Sequence, residues 1–141
     1  MVYKKEAMLK RIEKLCEYRH DLKEMECLSF DEYIKDKKTK YFMERLLFLI
    51  AEDILDSLDH VLSSKFETIS DSYEDIIDNA YKNSIIDHSM YSNLRGIGGF
   101  RNVLAHGYMQ ISDADVFKNF QKMMAVIDSI IENLEDIVRY A

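Results

Sequence analysis

The stretch KYFMERLLFLIAEDILDSLDHVLS, residues 40–63, carries the broadest apolar face in the sequence. Its apolar residues recur every three or four positions, which is the spacing of one face of an α-helix. They are Tyr41, Phe42, Leu46, Leu49, Ile50, Ile54, Leu58 and Val61. The pattern predicts a long helix that is the most buried element of the protein.

Helical periodicity continues on both sides of this stretch. It predicts one long helix near residues 3–27 and another that Asp113 caps. The stripe of the last helix, from Val116 to Ile137, suits either a core or a dimer seam. Shorter helical segments are predicted between the long ones, at 29–32 (a capping box), at 73–82 and from about residue 85. Because the connections are short, the sequence predicts an all-α fold, an antiparallel bundle of four to five helices in a single domain over residues 1–141.

The composition excludes several classes of protein. The chain is 48% hydrophobic and 32% charged, as in a globular protein, and it has no proline. Its longest apolar run, Leu46 to Ala51, is far shorter than the roughly 20 residues of a membrane span. No apolar segment of a signal peptide follows the first lysines, and Cys16 and Cys27 form no metal or disulfide pattern. These features predict a cytoplasmic protein with two reduced thiols.

The charge is unevenly distributed. Residues 1–40 hold 11 Lys and Arg against 9 Asp and Glu, whereas residues 41–141 hold 8 against 17. An acidic surface repels phosphates, so any contact with a polyanion must be local. The candidates are the Arg95 and Arg101 pair and a lysine cluster that is more simply explained as a solvated helix end: Lys35, Lys37, Lys38 and Lys40.

The motif whose side chains are best suited to catalysis is GGFRNVLAHGY, residues 98–108. All four glycines of the chain lie in or just before it, although glycine costs about 0.5–1 kcal/mol relative to alanine inside a helix. Gly96, Gly98 and Gly99 therefore indicate a kink, a break or the close approach of another backbone, such as a partner or an RNA strand near Arg101. Gly107 is a natural residue to end the helix and turn Tyr108 back toward the preceding histidine.

The side chains of this motif favour phosphate chemistry. Arg101 is a permanent cation whose fork suits phosphate, and His106 can exchange a proton near neutral pH. Asn102 lies one turn before His106 and can orient its ring, while Tyr108 offers a hydroxyl. No paired carboxylates or phosphate-binding glycine loop accompany them, so the set suits metal-independent attack on a phosphodiester. Spacing alone also permits a chance arrangement in a structural helical protein.

The segment RNVLAHGY, residues 101–108, matches the R-x4-H-x-Y signature of the HEPN (higher eukaryotes and prokaryotes nucleotide-binding) superfamily. The HGY ending, the RLLFLIAEDI helix and the SYED segment resemble its HepT-like branch, the toxin half of HepT/MNT toxin–antitoxin pairs. The resemblance covers most of the chain.

This resemblance implies a homodimeric, metal-independent endoribonuclease toxin without a cofactor. His106 would act as general base or acid when the RNA 2′-OH attacks the adjacent phosphate, and Arg101 would hold that phosphate. Asn102 would orient the site, and Tyr108 would position the substrate. The implied antitoxin is a minimal nucleotidyltransferase that can transfer AMP onto Tyr108. The alternative is a non-catalytic helical partner or scaffold that binds a nucleotidyltransferase and a nucleotide.

Other candidate residues are weaker. Asp56 and His60 have a spacing found in metal sites, but with Glu52 and Asp53 they are better explained as a solvated acidic face, and no metal is expected. Arg45 and Glu52 lie seven residues apart and could line the cleft behind the motif. His20 and His88 are interpreted as surface or packing residues.

Overall fold

The computed structural model describes residues 2–106 and 111–140, and these residues form seven α-helices. The all-α prediction is confirmed. The helices are α1 (Lys5–Glu24), α2 (Phe30–Lys35), α3 (Lys37–Lys65), α4 (Tyr73–Lys82), α5 (His88–Leu94), α6 (Ile97–His106) and α7 (Asp113–Arg139). None of the helices in this described part is long and apolar enough to cross a membrane.

Short polar side chains begin most of these helices by accepting the N–H groups that the first turn leaves unpaired. The predicted capping box is present, with Ser29 and Glu32 each bonded to the other's backbone N–H. Ser72 begins α4 in the same way. The cap of α7 is Ser112, whose hydroxyl accepts from the Asp115 N–H at 3.0 Å, so the predicted cap at Asp113 is wrong by one residue.

Helix α3 lies at the centre of the molecule and packs against α1, α4, α6 and α7. Leu46, Ile50, Ile54, Leu58 and Val61 are all buried, as the sequence predicts. The apolar stripe of α7 belongs to the same core, because six of its seven predicted positions are buried and Ile137 is half-buried. Of the two predicted roles for this stripe, core and dimer seam, the structure therefore favours the core. The predicted homodimer stays a prediction.

The first turns of α3 differ from the prediction. Tyr41 is 61% exposed and Phe42 is 50% exposed, and Leu49 is half-buried. Tyr41 and Phe42 line open grooves at the surface and are not covered by a neighbouring helix. The prediction that both belong to the buried face is therefore wrong.

Two contacts fix how α3 lies against its long neighbours. The Lys4 N–H, just before α1, donates to His60 Nε2 near the end of α3 at 3.0 Å, so α1 and α3 are antiparallel. Lys40 near the start of α3 pairs with Asp113 at the start of α7, with 3.1 Å between Nζ and Oδ2. The second contact holds the start of α7 beside the start of α3.

Candidate active site

The glycines before the motif shape the packing of α6. Gly96 has a φ of +87°, a left-handed conformation that separates α5 from α6. The segment predicted as one helix from residue 85 is therefore two. The N–H groups of Gly96 and Gly98 donate to the two oxygens of Glu74 on α4, at 3.1 and 3.0 Å. Glu74 thus caps the beginning of α6 across the interface between the two helices.

Gly98 allows α6 to lie directly against α4. A Cβ at Gly98 would stand 2.5 Å from the Cβ of Tyr73, a distance that van der Waals radii forbid. The close approach predicted from the glycines is thus made at Gly98 by Tyr73 of the same chain. Gly99 differs, because a Cβ there would meet nothing within 4 Å.

Arg101 of α6 is held by contacts from two other helices, α3 and α4. Its Nε donates to the Glu52 carboxylate of α3 in an ion pair, and its guanidinium carbon lies 5.2 Å from the ring centroid of Phe48. The ring of Tyr73, on α4, lies 5.1 Å away. These contacts fix the plane of the guanidinium, and with 18% of its side chain exposed the group can still reach a ligand.

The other motif residues follow along α6. Asn102 is exposed, and its Oδ1 accepts a hydrogen bond from Arg101 Nη1 at 3.2 Å, so it helps to orient the guanidinium. Its predicted role in orienting His106 stays a prediction. His106 is exposed at the last position of α6. Gly107 and Tyr108 lie outside the residues that the structure describes.

Helix α3 contributes the residues behind the motif, as the spacing of Arg45 and Glu52 suggested. Arg45 lies 5.3 Å from the ring of Phe48, which therefore carries one cation from α3 and one, Arg101, from α6. Phe48 is not among the site residues predicted from the sequence. Its position one turn before Glu52 on the same face is the signal that could have found it.

Replacement of Glu52 tests whether it positions Arg101. If the motif catalyses the RNA cleavage that the resemblance implies, we expect Glu52→Ala to lower its rate about tenfold, below the roughly 100-fold loss that a 1 Å misplacement can cause. Glu52→Gln keeps an oxygen that can accept from Arg101 Nε, so most of the rate should return. Single-turnover cleavage measures both variants, and equal losses in the two would contradict a positioning role based on this hydrogen bond.

The acidic face of α3 does not bring metal ligands together. No group of three or more His, Cys, Asp or Glu side chains suited to a metal occurs within residues 2–106 and 111–140. His60 is buried, accepts from Lys4 and stacks on Tyr3, with 5.7 Å between ring centroids. Burial lowers its pKa, which keeps the ring neutral. The solvated-face interpretation therefore fails for His60, which is a packing residue.

Asp53 is a half-buried carboxylate on the same face. Burial raises its pKa to about 7, although the Ser57 hydroxyl donates to it at 3.0 Å. The folded chain therefore binds this proton more tightly than the unfolded chain does, and stability falls as the pH rises from the ordinary value of 3.8 through about 7.

We expect Asp53→Asn to reduce that loss of stability. Urea unfolding at about pH 5 and about pH 8 should show a smaller decrease for the variant than for the wild type. Asp128→Asn is the control, because ion pairing with Lys23 lowers the pKa of Asp128, which is ionised at both pH values. An unchanged decrease in Asp53→Asn would show that Asp53 does not titrate in this range.

Two grooves flank α6 on opposite sides of Arg101. The first, between α3 and α6, has a volume of about 310 Å³ and is lined by Tyr41, Glu44, Arg45, Phe48, Leu104 and Ala105. The second, toward α4, has a volume of about 580 Å³ and includes Asp59, Asp71, Glu74, Gly99 and Asn102. Helix α6 therefore borders an open groove on each of two sides.

Comparisons with known proteins agree with the overall fold. The fold is that of HEPN proteins: the chain superposes on the tri-AMPylated HEPN toxin of Shewanella oneidensis, solved in complex with MNT antitoxin, with a TM-score of 0.77. That match has 16% sequence identity and covers 92% of this chain and 96% of the toxin. The cytosolic protein of unknown function YutE from Bacillus subtilis matches with a TM-score of 0.76 and 15% identity, over 93% and 90% of the two chains.

Sequence comparison gives the family. Residues 8–136 match the HepT-like family, described as ribonuclease HepT-like. The chain is 32% identical over 108 residues to the tRNA nuclease HepT of Aphanizomenon flos-aquae (strain 2012/KM1/D3), covering 76% of this chain and 73% of that protein. The chain belongs to the HepT-like ribonuclease family.

Proposed function

We propose that this protein is a toxin endoribonuclease of the cytoplasm that cleaves RNA without a metal ion, with Arg101 and His106 as its catalytic residues. The observation that carries the proposal is the fixed position of Arg101. An ion pair with Glu52 and the rings of Phe48 and Tyr73 hold it on the helix that ends at His106. Membership of a ribonuclease family supports the choice of RNA.

The proposed reaction is a transesterification within the RNA. His106 takes the proton of a ribose 2′-OH, and that oxygen attacks the adjacent phosphorus. Arg101 stabilises the negative charge that develops on the phosphate oxygens. The bond to the 5′-oxygen then breaks, and a second acid protonates the leaving oxygen. The products are a 2′,3′-cyclic phosphate and a 5′-hydroxyl.

A homodimer would supply the second proton carrier. The motif of each chain contains one histidine, His106, and the reaction needs both a base and an acid. We therefore propose that the His106 residues of two copies face one RNA cleft. Light scattering of the purified protein measures the assembly, and a monomer that cleaves RNA at full rate would contradict this part of the proposal.

Cleavage in the presence of chelator is the test of the proposed chemistry. A fixed cation and a proton carrier suffice for transesterification, so activity on total transfer RNA should persist in excess EDTA. The product ends should carry cyclic phosphate, which phosphatase removes only after acid opening. Strict dependence on added Mg²⁺ or Mn²⁺ would overturn the mechanism.

We further propose that a minimal nucleotidyltransferase antitoxin silences the protein by adding AMP to Tyr108. The Shewanella toxin of the same fold is tri-AMPylated and was solved with an MNT antitoxin. An AMP group beside the motif would place negative charge where the RNA phosphate must enter. Intact-mass measurement after co-expression with a nucleotidyltransferase tests this. Added AMP masses should vanish in Tyr108→Phe.

A non-catalytic role is the second candidate. The acidic groove that includes Asp59, Asp71 and Glu74, next to Asn102, favours it, because three carboxylates repel RNA. In that role the helical bundle binds a nucleotidyltransferase and a nucleotide, and Tyr108 is only a modification site. Growth inhibition by the unmodified protein, lost in His106→Ala, would exclude it.

A further inference from the structure

The two grooves beside α6 differ in charge. The groove toward α4 carries the carboxylates of Asp59, Asp71 and Glu74. The groove toward α3 carries the cation of Arg45 and a single carboxylate among its lining residues, Glu44. A polyanion that reaches Arg101 therefore meets repulsion on one side of the motif and a cation on the other.

The α3 side also alternates cations with aromatic rings. Lys37 lies 6.0 Å from the ring centroid of Tyr41, and Arg45 lies 5.3 Å from that of Phe48. Arg101 lies on the same Phe48 ring, 5.2 Å from its centroid. These residues follow one another at helical spacing, so they share one face of α3 and end at the proposed phosphate site. We refer to Lys37, Tyr41, Arg45 and Phe48 as the α3 track.

The exposure of the α3 track is unusual for a helix that otherwise forms the core. Tyr41 is 61% exposed, and Lys37 and Arg45 are exposed beside it. Exposed rings between cations are the arrangement on which single-stranded RNA binds, because bases stack on the rings while Lys and Arg contact phosphates. At 1.5 Å per residue, the track runs about 16 Å from Lys37 to Phe48, enough for a short run of nucleotides.

We propose that single-stranded RNA runs from Arg101 along the α3 track, with bases stacked on Tyr41 and phosphates at Arg45 and Lys37, and not through the groove toward α4. This inference rests on the proposed function and names the path of its substrate. It also reconciles the acidic chain with a nucleic-acid substrate. The strand uses the basic end of α3 while the carboxylates of the opposite groove exclude it.

Binding can be measured apart from cleavage in a His106→Ala background. The probe is a fluorescein-labelled single-stranded RNA of mixed sequence, followed by anisotropy at several salt concentrations. Tyr41→Ala with Arg45→Ala should weaken binding about tenfold or more. The slope of log affinity against log salt should fall by about one for the lost phosphate contact. Asp59→Asn with Asp71→Asn, in the opposite groove, is the matched control and should bind as tightly or more tightly.

Photocrosslinking gives a readout that needs no substitution on the track. RNA carrying 4-thiouridine should crosslink to peptides containing Tyr41. Crosslinks confined to residues 70–76 and 98–102 would overturn the proposal, and so would unchanged affinity of the Tyr41→Ala/Arg45→Ala protein. Light scattering tests whether a second copy of the chain occupies the track instead of RNA. If the Tyr41→Ala/Arg45→Ala protein loses a dimer that the wild type forms but keeps its RNA affinity, the track is assigned to that second copy.

The outcome for the track is distinguishable from the outcome for the proposed function. If the wild type cleaves RNA through His106 while the track variant binds normally, only the path is wrong. If the track variant loses binding but the wild type cleaves no RNA, the proposed function fails and the RNA surface stands. Both substituted side chains are exposed, and melting curves by circular dichroism check that the variants fold.

Discussion

Replacement of His106 by alanine is expected to lower RNA cleavage by about 10²–10⁴-fold, the range that general acid–base catalysis contributes. Alanine cannot accept the 2′-OH proton, whereas the contacts of Arg101 with Glu52, Phe48 and Tyr73 involve other side chains. The RNA affinity measured by anisotropy should therefore change little while the rate falls. A side chain at an exposed helix end contributes little to packing, so the melting temperature should stay close to that of the wild type.

His20→Ala is the matched control for this substitution. His20 is also exposed and on a helix, and it pairs with Glu24 at 3.1 Å, far in sequence from the motif. Its variant should cleave at the wild-type rate. Equal activity of the His106→Ala and wild-type proteins would remove His106 from the mechanism. A parallel loss in both histidine variants would point to general damage to the fold.

Sequence periodicity was sufficient for the parts of the fold that depend on one helix at a time. It located the centre of α3 and the stripe of α7, because a buried helix face repeats every three or four residues whatever covers it. It was wrong for Tyr41 and Phe42, since periodicity does not tell where a neighbouring helix ends. The exposed ring of Tyr41 is now part of the proposed RNA path.

In the candidate active site, too, the sequence predicts what lies on one helix better than the contacts between helices. The motif spacing places Arg101 and His106 on one helix, and the Arg45–Glu52 spacing suggested that α3 lies behind them. The carboxylate that pairs with Arg101 and the one that caps α6 are both remote, at Glu52 and Glu74. The Arg45–Glu52 spacing pointed to Glu52, but nothing local in the sequence selects Glu74 as a cap of α6 among 26 acidic residues. Such contacts depend on how three helices pack together, which the structure supplies.

The packing of α6 on α4 leads to the second large effect, that of Gly98→Ala. The new Cβ would lie 2.5 Å from the Cβ of Tyr73, an atom fixed to the α4 backbone, so one of the two helices must move. Overpacking of this kind costs about 1–3 kcal/mol of stability. The shift also pulls the N–H groups of α6 from Glu74 and displaces Arg101 three residues later. A displacement of about 1 Å can lower the rate about 100-fold.

Gly99→Ala separates this steric effect from the general consequence of replacing a helical glycine. A Cβ at Gly99 meets nothing within 4 Å, so the variant should keep its activity and gain up to about 1 kcal/mol, because alanine favours the helix. Thermal unfolding and single-turnover cleavage of the two variants make the comparison. If Gly98→Ala were as stable and active as Gly99→Ala, close contact between α6 and α4 could not be what fixes Arg101. A loss of stability and cleavage in Gly98→Ala, beside a gain of stability and normal cleavage in Gly99→Ala, would instead show that the contact between Gly98 and Tyr73 positions Arg101.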